Sequence, residues 1–219
     1  MTTGPVEPAR TLVLLAKEPV AGRVKTRLHS AFSPTESAAL ARACLEDTFD
    51  ALSSAPAAHR IVALDGTDGP WIPPGFDVVP QSPGDLGDRL AAAFRETLAR
   101  DDHAPALLVG MDTPQLGAHL TGVDFDGADA VLGLTDDGGY WAIGLRTADD
   151  RVFEGVPMST RHTGTAQLRR LRELGLRVTL LPRLRDVDEP ADARAVALAA
   201  PATRFAALWR RLGQARSGS

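Results

Sequence analysis

A single cysteine, Cys44, rules out an internal disulfide and a cysteine-based zinc cluster, and fits a reducing compartment. Long apolar runs are missing too. No stretch nears the roughly 18 to 20 apolar residues of a membrane span, and the first ten residues lack the apolar centre of an export signal. The chain is therefore expected to be cytoplasmic, with no membrane span. A basic excess is absent: 24 Lys and Arg against 28 Asp and Glu leave a net charge of -4, which argues against a nucleic-acid or membrane-surface partner. Familiar catalytic signatures are lacking as well. Gly22 is separated from Lys25 by Arg23 and Val24, so there is no Walker loop. There is no dinucleotide fingerprint and no G-x-S-x-G elbow. Repeats and low-complexity blocks do not occur.

What is present is apolar mass, 44% of 219 residues, enough for one sizeable core. A single domain over 11–214 is expected, between disordered ends at 1–10 and 215–219. The run Leu12, Val13, Leu14 and Leu15 reads as a strand buried on both faces. Ser33, Pro34 and Glu36 form a capping box before Ala41, Leu45, Phe49 and Leu52, so a helix is predicted from about Ser33 to Ser53. Strands are predicted over Arg60 to Asp65, Phe76 to Pro80, Ala106 to Gly110, Ala128 to Leu134, Tyr140 to Leu145 and Val178 to Leu181. Helices are predicted over Asp85 to Arg100 and Thr165 to Leu174, then as a broken pair from Pro190 to Ala200 and Arg204 to Leu212. The turn at Asp137, Gly138 and Gly139 adds an antiparallel excursion to a mostly parallel sheet. This alternation predicts an α/β three-layer sandwich.

Parallel α/β sheets bind ligands beyond the carboxyl ends of their strands. After the first strand stand Lys17, Gly22, Arg23, Lys25 and Arg27, a glycine with four cations suited to phosphate oxygens; the bland alternative is a solvated basic turn. Asp112, halted by Thr113 and Pro114 at the end of a central strand, reads either as a divalent-metal ligand or as the cap of a short helix near Pro114. Asp186 and Asp188 are candidates to complete that metal site, Asp188 the favoured one, although Asp188 or Glu189 before Pro190 also suits helix capping. Gly138, Gly139 and Tyr140 form a turn that fits an acceptor pocket or simply a hairpin tip. Ser159 and Thr160, ahead of a helix, suit an anion or a cap.

AKEPVAGRVKTRL, PGDLGDRL, VGMDTPQL, DDGGYWAIGL and RDVDEPADA occur in this order. With them the chain resembles, from about Thr11 to Ala199, the glycosyltransferase-A-fold family of small bacterial nucleotide-diphospho-sugar transferases. More distantly it resembles the phospholactate guanylyltransferases. The resemblance implies a nucleotide-diphospho-sugar transferase fold. It places base and phosphates at Lys17, Gly22, Lys25 and Arg27, and Mg2+ or Mn2+ at Asp112 and Asp188. Gly84, Asp85 and Gly87 match the family's G-D-L-G near the nucleotide, and Gly138, Gly139 and Tyr140 match its acceptor side. One departure is Met158, where family members commonly carry tryptophan. The implied partners are a nucleotide or nucleotide-sugar donor and a small-molecule acceptor, with a homodimer left open. Lys25 and Arg27 would neutralise the leaving group in a metal-dependent glycosyl transfer. The alternatives are a nucleotidyltransferase that releases pyrophosphate from a nucleoside triphosphate and a non-catalytic nucleotide-binding module.

Overall fold

The computed structural model describes residues 10–100 and 104–217 of the chain. Strand β1 (Thr11–Lys17) lies at the centre, parallel to β2 (His59–Asp65) on one side and to β4 (Ala106–Gly110) on the other. Strand β3 (Asp77–Pro80) extends the sheet beyond β2. Past β4, β6 (Tyr140–Leu145) runs antiparallel to both β4 and β5 (Ala130–Thr135), and β7 (Val178–Leu184) closes the edge parallel to β5. The order β3-β2-β1-β4-β6-β5-β7 thus holds six strands in one direction, with β6 reversed.

The continuous apolar character of β1 follows from cover on both faces. Leu12, Leu14 and Ala16 pack with Ala41, Leu45, Phe49 and Leu52 of helix α1 (Pro34–Ser54). Val13 points the other way, into a cluster with Leu90 and Phe94 of α2 (Leu86–Leu98) and Leu171 of α4 (Thr163–Glu173). Helix α1 starts as its sequence dictates: the Glu36 amide donates to Ser33 Oγ at 3.2 Å, and the Ser33 amide donates to Glu36 Oε2 at 2.8 Å. A four-residue helix, α3 (Gly117–Leu120), follows β4. The outer face of α1, through Leu40, Ala43 and Cys44, supports a third cluster with Val196 of α5 (Pro190–Ala199) and Phe205 of α6 (Arg204–Ser217). Asp47 fastens α6 there by accepting the Arg204 and Phe205 amides at 2.8 and 2.9 Å. The sandwich and the antiparallel excursion match the expectation, and β7 runs three residues further than its apolar run suggests.

The ends need adjustment. Residues 1–9 and 218–219 lie outside the described residues, so the expectation of disorder there is not addressed. Arg10, placed in the disordered end, is buried, and its guanidinium donates to the carbonyls of Pro56, Leu120 and Val123. Residues 215–217, expected in the tail, continue α6, and Arg216 pairs with Glu36 at 2.7 Å. Among the described residues no helix is long and apolar enough to cross a membrane.

Candidate functional site

Strands β1, β2 and β4 end on one edge of the sheet, and the loop after β1 folds over that edge. The Lys17 amide donates to Met111 Sδ at 3.2 Å, which ties the exit of β1 to the exit of β4. Beyond it Gly22 takes a φ of 78°, a value that costs glycine nothing, and turns the chain back. Lys25 also lies in the left-handed region, at φ 49° and ψ 40°, which is uncommon for a side chain of this size. That conformation sends its side chain inward, where only 7% of it is exposed. Its Nζ meets Asp112 Oδ1 at 2.5 Å and donates to the Val187 carbonyl, 162 residues away in sequence. Two residues on, Arg27 pairs with Asp188.

These contacts make a cleft of about 250 Å3 lined by Lys17, Arg23, Lys25, Arg27, Asp112 and Asp188. A second cavity of about 300 Å3 shares Lys17, Met111 and Asp112 with it and runs under the first turns of α2, past Asp65, Gln81, Arg89, Tyr140 and Trp141. Gln81 is fixed from both ends: its amide donates to the Ala16 and Ala63 carbonyls at 2.8 and 3.0 Å, and its oxygen accepts from Arg89 at 3.3 Å. Lys17 pairs with Asp65 at 3.5 Å on the rim.

Charge in the cleft is balanced in layers. Burial lowers the Lys25 ammonium, but the groups around it, Asp112 foremost and Asp188 among them, together raise it above its ordinary value, so the side chain stays cationic. Burial, and after it the neighbouring Asp137 carboxylate, push Asp186 up to about 6. Burial also pushes the Cys44 thiol and the Tyr140 phenol up, which leaves both protonated at neutral pH.

The other expected residues divide. Tyr140 lines the second cavity, with its hydroxyl 3.9 Å from Met158 Sδ. Gly138 takes a φ of 96° and lies so close to the Arg161 carbonyl that a Cβ would stand 2.0 Å from it. Its own carbonyl accepts the Gly164 amide at 2.7 Å, so the hairpin tip and the segment before α4 are one unit. Gly139 donates its amide to Asp137 Oδ1 at 2.9 Å. Ser159 and Thr160 line neither cavity; Thr160 Oγ1 accepts the His162 amide at 3.2 Å, and the position ahead of α4 is held by His162, without a side-chain capping bond, rather than by Ser159. Gly84, Asp85 and Gly87 line neither the cleft nor the second cavity. Asp85 accepts the Asp88 amide at 3.0 Å as the cap of α2, Gly84 leaves room for the Asp88 side chain, and Asp85 and Gly87 border a separate cavity with Arg95 and Phe153. From that motif Leu86 reaches the second cavity, followed by Arg89.

Asp65, Gln81 and Arg89 carried no flag in the sequence, although Asp65 ends a parallel strand and Gln81 directly follows one, the position where ligand groups gather. The Val187 carbonyl had no side-chain signal at all.

Solved structures share the fold. A provisionally named nucleotide-diphospho-sugar transferase from Desulfovibrio desulfuricans G20 is 26% identical, with a TM-score of 0.81 over 92% of this chain and 94% of that one. A 4-diphosphocytidyl-2C-methyl-D-erythritol synthase is 10% identical with a TM-score of 0.53, over 87% of this chain and 97% of that one. CMP:2-keto-3-deoxy-manno-octonic acid synthetase complexed with CTP is 14% identical with a TM-score of 0.51, over 88% and 99%. The last two share the fold. No curated protein matches the chain. The chain belongs to the family described as an uncharacterized protein conserved in bacteria (DUF2064), whose model matches residues 48–160.

Proposed function

We propose that the protein is a transferase acting on a nucleotide-diphospho-sugar, with the diphosphate in the cleft of Lys25 and Asp112 and the nucleoside in the cavity beside it. The observation that carries this reading is the convergence of Lys17, Arg23, Lys25 and Arg27 with Asp112 and Asp188 on one cleft at the strand ends. Four cations against three carboxylates, Asp65 on the rim included, leave room for an anion, and the neighbouring cavity offers both an aromatic wall and the Arg89 guanidinium. The likeness to the Desulfovibrio protein supports the same reading.

The donor set suits a hard divalent ion that shares its ligands with substrate. Among the described residues no three His, Cys, Asp or Glu side chains gather into a metal cage. Magnesium commonly takes only one or two carboxylates and completes its shell with phosphate oxygens and water. Asp112 and Asp188 would hold Mg2+ or Mn2+, which supplies charge neutralisation on the diphosphate. The chain's own residues do the rest. Lys25 and Arg27 stabilise negative charge that grows on the nucleoside diphosphate as its bond to the sugar breaks and the acceptor oxygen bonds to the anomeric carbon. Tyr140 and Trp141 give the nucleoside cavity its aromatic wall.

A thermal-shift panel of nucleotide sugars and nucleoside triphosphates, each with and without Mn2+, tests the proposal. Stabilisation by a nucleotide sugar, followed by release of nucleoside diphosphate with a small acceptor, is the expected result. Pyrophosphate release from a triphosphate would instead make the protein a nucleotidyltransferase. Stabilisation without product at any acceptor would make it a binding module. No stabilisation by any nucleotide would remove the proposal.

A further inference from the structure

Lys25 is held unusually well for a residue expected to greet a phosphate. Its side chain is 7% exposed, with the ammonium 2.5 Å from Asp112 Oδ1 and bonded to the Val187 carbonyl, while Asp188 next to that carbonyl is paired with Arg27. Both carboxylates able to take a metal are thus already neutralised by cations of the chain. The backbone of Lys25 accepts a left-handed conformation to allow it, a type of strain that concentrates at ligand sites.

We infer that Lys25 makes metal binding at Asp112 conditional on an anionic donor, so that the cleft takes a metal and a diphosphate together and refuses the metal alone. This rests on the proposed binding of a nucleoside diphosphate moiety. A dication arriving by itself meets a buried ammonium at the same carboxylate, and the two repel at close range, a repulsion that solvent at the half-exposed Asp112 reduces without removing. Lys25 has no exposed place to go unless the loop over the strand edge moves. A diphosphate changes the sign of that encounter. Its oxygens accept from the ammonium on one side and ligate the metal on the other, so each cation is separated from its rival by negative charge. The coupling is reciprocal: the donor strengthens the metal by the same factor as the metal strengthens the donor. A lysine that merely shapes the loop has no such effect, and its removal would weaken metal and donor alike.

The test is calorimetric titration of MnCl2 into the wild type, Lys25→Met and Lys25→Arg, first alone and then with ADP, CDP, GDP or UDP present. Lys25→Met is expected to bind Mn2+ alone on the order of tenfold tighter than the wild type, with a smaller enhancement by nucleotide. Lys25→Arg, which keeps the charge, is expected to remain weak for Mn2+ alone. Equal or weaker binding of Mn2+ alone by Lys25→Met overturns the inference. If Lys25→Met does not fold, Lys25→Gln, with a neutral donor for the Val187 carbonyl, makes the same comparison. In the wild type, equal nucleotide affinity with and without Mn2+ also overturns it. Absence of any nucleotide binding removes the proposed function instead, while the comparison of Mn2+ alone still decides the role of Lys25.

Discussion

Replacing Asp112 with Asn removes the charge opposite Lys25 and leaves the shape of the side chain, so it isolates the ion pair. In an effective dielectric near 20, two unit charges 4 Å apart attract by about 4 kcal/mol, and in water by about 1. The Lys25 end of the pair is sheltered, but the Asp112 side chain is 46% exposed, so solvent screens much of that attraction. Breaking a fully buried pair costs about 3 to 5 kcal/mol because one charge is left stranded. A loss of about 1 to 3 kcal/mol follows for Asp112→Asn, or roughly 2 to 12 °C in Tm for a chain of this size. Urea unfolding in chelator, without nucleotide, reads it directly. Lys25→Met in the Asp112→Asn background removes the stranded cation, so the double variant should be less destabilised than the two single losses added together. An unchanged urea midpoint for Asp112→Asn, or strict additivity of the pair, would refute the reasoning.

Two further outcomes follow from the packing. Gly138→Ala forces a Cβ against the Arg161 carbonyl at a φ of 96°, so it should cost about 2 to 4 kcal/mol, with faster hydrogen exchange over 157–164; native protection there would contradict the geometry. Asp47→Ala leaves the Arg204 and Phe205 amides at the start of α6 without their acceptor, for a loss of about 1 to 2 kcal/mol. Burial raises the Asp47 carboxyl above its ordinary value, so its charged form is disfavoured in the native state. That contribution is complete below the unfolded value near 3.9 and fades as pH rises through the higher folded one. Asp47→Asn should accordingly gain on the wild type between pH 3 and 7, and a constant difference across that range would be the contrary result.

The alternation of short apolar runs with amphipathic stretches carried the architecture, because β1 and β4 are covered on both faces and such strands read as unbroken hydrophobic segments. Ser33 and Glu36 announced the start of α1 through local chemistry that needs no tertiary context. Lys25, Asp112 and Asp188 were legible as ligand-type residues at strand ends, although their mutual distances were not. Gly84 and Asp85 were ambiguous for a physical reason: a glycine and an aspartate before a helix suit a phosphate and a cap equally, and Asp85 makes the cap of α2. Arg89 and Gln81 escaped notice because an arginine on an amphipathic helix and a glutamine in a loop look like solvated surface until the fold turns them toward a cavity.

Lys25 and Val187, like Arg27 and Asp188, are joined across more than 160 residues. During synthesis the first loop leaves the ribosome long before its counterpart, so an incomplete product can pair its early strands and still own no finished cleft. Binding at the proposed cleft would therefore be a late event in the life of each molecule, open only to copies that have already docked their closing third.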